Sequence, residues 1–401
     1  MARNPDAIVV GAGIVGCAIA WELAKEGRRV VVFDKGPVGR AASWAAAGLL
    51  TPIHLAQYPP PLAALCLESE KRYEPWVRAL GAPEIEYRAS GLILMVFDDQ
   101  DERDAALLEA WRRERGSPVE RLDRDALRDL EPLASQEVRG ALLLPDVAQV
   151  RNHRLTRALA AAAAKLGAEI RTDAEVTGFL HVPGRINGVR TTKGDLFSAE
   201  TVVAAGAWSG DLDVGANVRP VRGQMVLLKG PPDALARALL ARDAYLIPRA
   251  DGHVLLGSTL EEAGFDTSTT AEGISFLLEQ GRRLAPGIGK FAVAATWAGL
   301  RPATPDRLPY LARRQDHAFR ARRPAQVGKA DPGDGPLPQR HPAGAGHGED
   351  RRGPGRGARA FPRPGPVPPG PVVRRRSQIG RPAPSRRHSC RALARLRPAS
   401  A

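Results

Sequence analysis

At 401 residues and 43% hydrophobic content, the chain is long enough to bury one or two sizeable cores. A formal net charge of +14 would suit a nucleic-acid or acidic-membrane binder, but it is local: residues 313–401 hold 21 Lys+Arg against 5 Asp+Glu, leaving 37 against 39 in residues 1–312. Three scattered cysteines, Cys17, Cys66 and Cys390, exclude a disulfide framework and fit a reducing cytoplasm, and no uncharged apolar run reaches the roughly 18 residues a membrane span needs.

The apolar stretch Ile8–Leu23 lacks a basic leader and a small-residue cleavage site, and glycines and Glu22 interrupt it, so it reads as strand followed by helix and not as a signal peptide. At that junction Gly11, Gly13 and Gly16 stand in G-x-G-x-x-G spacing. The first glycine permits a tight turn, the second lets backbone approach a pyrophosphate, and the third lets helix and strand pack closely; phosphate charge then sits at the helix N-terminus. The following strand, Arg29–Asp34, ends in Asp34, an acid suited to a ribose hydroxyl. Together these predict a dinucleotide site, the competing reading being a ligand-free Gly-rich turn. Residues 39–50 then supply a run of small side chains, including Ser43, Ala46, Ala47 and Gly48, against which a flat, bulky group could lie. The same letters also suit the start of an Ala-rich helix.

Further along, Asn152 is placed to cap a helix over Arg154–Leu166 that Gly167 ends, and strands are expected at Glu169–Arg171, Glu175–His181 and Ile186–Thr191. Residues Tyr245–Thr259 form a hairpin pattern with Asp251-Gly252 as a two-residue turn. His153, His181 and His253 have no ligand-like spacing and are expected to face solvent. Near the end of this region comes Trp297–Asp306, with the pattern W-x-G-x-R-P-x-T-x-D.

These motifs, in this order, resemble the FAD-dependent D-amino-acid oxidase superfamily over residues 5–311, and most closely its glycine oxidase group, through the Trp297–Asp306 box and Val218–Met225. The resemblance implies an α/β fold with a Rossmann-like FAD-binding domain (residues 1–85, 145–215 and 290–312) and a discontinuous, sheet-based substrate domain (86–144 and 216–289). It implies that Ser43, Ala46, Ala47, Gly48 and Leu49 form the second flavin motif, and that Val176 lies against the adenine side, where plain core packing is the alternative. Tyr245 becomes an active-site wall whose phenol meets a substrate carboxylate, although an ordinary strand tyrosine also fits. Leu260 takes the place of a hydrophobic lid. Arg301 becomes the carboxylate clamp, since a planar guanidinium holds a carboxylate bidentately; otherwise it is a surface arginine after a strand. The implied activity is oxidative deamination of glycine or a small amino acid with oxygen as acceptor, feeding thiamine thiazole synthesis. A quinone-linked D-amino-acid dehydrogenase and a sarcosine oxidase-like enzyme remain alternatives, and a homo-oligomer is compatible with either.

After Ala312 the pattern of strands, turns and helices stops. Residues 313–401 hold 15 prolines, no Trp or Tyr, and only Phe319 and Phe361 as aromatics, a composition expected to be a disordered basic tail. Such a tail, or the extended Pro362–Pro369 stretch within it, would be the working part of a quite different molecule, a binding protein. Back-translation points elsewhere. Synonymous codons for Pro336–Glu349 can be chosen so that the neighbouring frame reads GHYRNGILLAPVTA, which resembles the closing, flavin-contacting motif of the same superfamily. The sequence therefore reads as frameshifted shortly after Leu311, and as a poor or inactive oxidase in its written form.

Overall fold

The computed structural model describes residues 4–50, 58–183 and 185–312; the expected disordered tail lies outside the described residues. The chain opens with β1 (Ala7–Val10), α1 (Ile14–Lys25) and β2 (Val30–Phe33), then makes a single helical turn, α2 (Ala42–Ala45), and a short strand, β3 (Leu49–Leu50). A long helix, α3 (Pro60–Leu80), leads to β4 (Leu92–Val96), α4 (Asp99–Glu114), β5 (Glu120–Leu122), α5 (Arg124–Leu130) and β6 (Gly140–Leu144). Next come β7 (Ala148–Gln149), α6 (Asn152–Lys165), β8 (Glu169–Arg171), β9 (Val176–Val182), β10 (Arg185–Thr191), β11 (Gly194–Phe197) and β12 (Glu200–Val203). The last stretch is β13 (Arg219–Lys229), β14 (Ala238–Leu240), β15 (Tyr245–Pro248), β16 (His253–Gly257), α7 (Ala271–Leu284) and β17 (Ala292–Ala303).

Strands β12, β1, β2 and β8 pair in that order as a parallel sheet. Every residue of β1 and β2 is buried, which is the behaviour of a parallel sheet covered on both faces. Val9 and Val32 pack under α1 and α6, while Ile8, Val10, Val31 and Phe33 point the other way, against Phe179 and Val189 of the antiparallel sheet β11-β10-β9. The alternation is the period-two geometry of a strand. This is the α/β arrangement expected from the sequence.

A mixed sheet runs β17-β13-β16-β15-β14-β4-β6-β5. One of its faces, including Val226, Leu246 and Leu256, is covered by Leu277 and Leu284 of α7 and Leu127 of α5. The opposite face carries Met225, Leu240, Ile247 and Leu255, with Tyr245 and Trp297 beside them, and meets Ala47 and Leu49 of the small-residue run.

Three local expectations change. Asn152 is the first residue of α6, not its cap: Arg151 stands at the N-cap position, held by Ile85 and by ion pairs to Glu86 and Asp251. The 245–259 hairpin closes through Ala250, Asp251 and Gly252, one residue longer than a two-residue turn. The Arg249 N–H donates to the His253 carbonyl, and Gly252, at φ 78°, supplies the left-handed residue such a connection needs. His153 and His253 are half-buried, only His181 being exposed; His253 meets Asp251 at 3.0 Å.

Candidate active site

The Gly11–Gly16 turn is built by close approach. Gly11 adopts φ 106°, and a Cβ there would stand 2.4 Å from the Ala204 carbonyl oxygen at the end of β12. A Cβ on Gly16 would stand 1.9 Å from the Gly11 carbonyl, so α1 rests directly on the turn. Gly13 caps α1 without a side chain, and the first turn carries no acidic residue, leaving the positive end of the helix dipole available to a phosphate. Asp34 sits at the tip of β2, where its carboxylate accepts from the Ala12 N–H at 2.7 Å and the Gly36 N–H at 2.9 Å. Each oxygen keeps further acceptor capacity for a hydroxyl.

The small-residue run is tied to this turn, because Ser43 Oγ accepts from the Ile14 N–H at 2.9 Å. The run does not continue as an Ala-rich helix. After the single turn of α2 the chain extends at Ala46 and reaches Gly48 at φ 83°, where a Cβ would stand 2.1 Å from the Val150 carbonyl oxygen. Leu49 then pairs with Gln149. Ala46 is exposed, whereas Ala47 and Leu49 are half-buried against the mixed sheet. Val176 is buried beside Ile8, Val31 and Phe33, so its side chain is core.

Across the mixed sheet, register places Trp297, Met225, Gly257 and Tyr245 in one row, with Gly299 and Gly223 paired in the next hydrogen-bonded step on the same face, and Arg301 two residues further along β17. The Trp297 indole donates to the Ala45 carbonyl at 3.2 Å and lies 5.4 Å from the Trp44 ring, which fixes this row against the small-residue run. A Cβ on Gly299 would meet Ala45 Cβ at 2.4 Å.

The Arg301 guanidinium donates to the Thr259 carbonyl at 3.1 Å, to the Arg222 carbonyl at 3.4 Å and to Ser258 Oγ. Among the described residues no carboxylate pairs with it. By contrast Arg222, beside it on β13, is neutralised by Glu261 and Asp266, both at 2.5 Å. Fully buried Gln224 ties the same segment together, bonding Glu261 and Thr270 through its amide. Leu260, in that segment, is 76% exposed. Tyr245 donates to Met225 Sδ at 3.4 Å. Burial raises its phenol pKa against the opposing pull of Ser258 and Arg301, so the phenol stays a protonated donor at neutral pH.

One participant escaped the sequence reading: Arg249, 6% exposed, whose guanidinium reaches the Ala47 carbonyl from the end of β15. Its only sequence signal is an arginine inside an otherwise apolar hairpin. No group of His, Cys, Asp or Glu among the described residues could hold a metal, and no described helix is long and apolar enough to cross a membrane.

Residues 6–323 match the family model for DAO, FAD dependent oxidoreductase. Glycine oxidase of Pseudomonas putida is 38% identical over 316 residues, covering 77% of this chain and 85% of the relative. A bifunctional ThiO/ThiG protein of Synechocystis is 35% identical over 321 residues, 78% of this chain and 47% of that longer protein. The crystal structure of glycine oxidase from Geobacillus kaustophilus matches with a TM-score of 0.74 at 31% identity, covering 80% of this chain and 88% of that one. With a turn shaped for a dinucleotide and a sheet face turned toward it, the chain belongs to the DAO family of FAD-dependent oxidoreductases.

Proposed function

We propose that this enzyme oxidatively deaminates glycine or another small amino acid, with FAD as cofactor and oxygen as final acceptor, and that it works in the cytoplasm to supply thiamine thiazole synthesis. The observation that carries the reading is Arg301: a cation without a carboxylate partner among the described residues, on the sheet face that meets Ala47 and Leu49. We read a cofactor domain and a substrate domain within this fold, a division supported by the separate parallel and mixed sheets. Residues 292–303, which the family resemblance assigns with 290–312 to the cofactor domain, hydrogen-bond along β13 in the mixed sheet.

FAD fits the residues present: Gly11, Gly13 and Gly16 with the α1 N-terminus would take the pyrophosphate, Asp34 the ribose, and Ser43, Ala46, Ala47, Gly48 and Leu49 the ring, with the Val176 strand end near the adenine. When bound, it supplies a two-electron acceptor for the hydrogen on the substrate α-carbon. The protein's task is then to place and desolvate that carbon. Arg301 holds the carboxylate through its free donors, and the Tyr245 phenol adds a second contact. Gly223 and Gly257 contribute no side chain between these two groups, and Met225 and Trp297 provide apolar surface that excludes water. Exposed Leu260 supplies the apolar cover on the solvent side.

Frame-corrected protein incubated with FAD should turn yellow and release hydrogen peroxide with glycine, and the Arg301 variant is made in that same chain. Arg301→Ala should raise KM for glycine about 10- to 150-fold, the loss of one charge-assisted contact of roughly 1.5–3 kcal/mol, with little effect on simple amines. Colourless protein that binds NADH instead, or an unchanged KM, would sink the assignment.

A further inference from the structure

Arg249 is buried, yet it has no carboxylate partner among the described residues. Its guanidinium donates to Gln149 Oε1 at 2.7 Å, to the Val150 carbonyl at 3.1 Å and to the Ala47 carbonyl at 2.5 Å, while Nε is buried with no acceptor. Burial, with repulsion from Arg151 and Arg88 that nearby Glu86 and Asp251 only partly offset, lowers its pKa to about 10, which still leaves it charged at neutral pH. A buried cation with no carboxylate bonded to it is costly, and three neutral acceptors do not offset it as a paired carboxylate would. Its placement explains what it gains. Arg249 lies four residues after Tyr245 at the end of the same strand, and its three acceptors belong to the small-residue run and to the β7 segment paired with it. No other described charged side chain bonds the Ala46–Leu49 backbone.

The Ala47 carbonyl and the Gly48 N–H belong to one peptide. A cation on the carbonyl oxygen polarises that peptide and makes its N–H a stronger donor in the opposite direction. Gly48 is buried, and its N–H has no acceptor among the described residues. We propose that Arg249 is a positioning residue: it clamps Ala47–Gly48 to the substrate sheet at a fixed distance from Tyr245 and Arg301, and through that peptide it favours electron uptake by bound FAD. The inference rests on the proposed cofactor placement along residues 43–49.

The test compares Arg249→Met and Arg249→Lys with the wild-type residue in the frame-corrected full chain, measuring FAD affinity, the midpoint potential of bound FAD, kinetics with glycine, and hydrogen exchange at residues 46–50 of the apoprotein. Arg249→Met is expected to weaken FAD binding tenfold or more. It should make reduction about tenfold less favourable, about 30 mV for a two-electron couple. Because Arg301 and Tyr245 are untouched, kcat should fall far more than KM rises. Arg249→Lys should restore the potential but not full FAD affinity, since one ammonium cannot serve three acceptors as the guanidinium fork does. In the apoprotein, residues 46–50 should exchange faster in Arg249→Met while the remaining core does not. A wild-type potential in Arg249→Met, or unchanged exchange at residues 46–50, overturns the proposal. Wild-type protein that binds FAD but ignores glycine and small amino acids defeats the substrate reading instead, and the affinity and potential still decide Arg249. If wild type took up no FAD, the cofactor reading and the redox role would fall together, leaving the exchange data to decide the clamp.

Discussion

The Arg301 guanidinium lies over Gly223, where a Cβ would stand 2.3 Å from Nη1 and 2.5 Å from Nη2. That obstacle is the far end of a flexible side chain, so Gly223→Ala should cost the fold little, within about 1 kcal/mol of wild type. It should nevertheless push the guanidinium away from the carboxylate position. We expect KM for glycine to rise several-fold with Tm nearly unchanged, a combination that kinetics and calorimetry on the same preparation would reveal. A large fall in Tm would instead mean that the side chain cannot move and that Gly223 serves packing alone. Nothing at Gly223 announces this role in the sequence, because the requirement comes from a strand almost eighty residues away. Arg301 was singled out through the resemblance of its Trp297–Asp306 box to the family pattern, and local spacing alone would have left it a surface arginine on a strand. Arg249 was not singled out: its contact with Ala47 spans 202 residues of chain.

At the level of elements, the bend from α2 into β3 turns on Gly48, which combines φ 83° with a Cβ position 2.1 Å from backbone oxygen. Gly27 also has a positive φ, 76°, but nothing lies within 4 Å of its Cβ position. Gly27→Ala should therefore cost about 1 kcal/mol of left-handed strain. Gly48→Ala adds a clash that only movement of β7 can relieve, and should both destabilise the protein further and abolish FAD uptake; equal Tm losses in the two variants would show that the β3–β7 pairing is soft. Helix α6 carries a pH dependence. His153 is held neutral, its pKa lowered to about 4 by burial and then by Arg157, Arg154, Arg151 and Arg249. As pH falls below the ordinary histidine value of 6.5, the unfolded chain gains a proton that the folded chain refuses, so stability must fall between pH 6.5 and 4. His153→Gln should flatten the Tm profile in the upper part of that window, and an identical slope in the variant would place the sensitivity elsewhere. Elements set by local pattern, β1, α1, β2, β8 and the 245–259 hairpin, were readable in the sequence. The Asn152 cap failed because Arg151 is claimed by Glu86 and Asp251, partners supplied by the tertiary fold.

For the whole molecule, the near-neutral charge of residues 1–312 and the +16 carried by 313–401 belong to two different kinds of sequence. The family match ends at residue 323, and the Pseudomonas relative is covered over 85% of its length. We expect the chain as written to hold FAD less well and to turn over more slowly than a frame-corrected chain ending through GHYRNGILLAP. Sequencing codons 305–340 and expressing both forms side by side, with flavin content and peroxide release as readouts, decides this. Equal occupancy and turnover would show that the written ending does no harm. Either preparation carries its own optical gauge. Trp44 lies in the small-residue run and Trp297 on the substrate sheet, with ring centres 5.4 Å apart. Any loosening of the run from the sheet must change the surroundings of two indoles at once, so the share of the six-tryptophan emission that disappears in Trp44→Phe can follow the joint between the small-residue run and the mixed sheet in solution, in real time, and without a label.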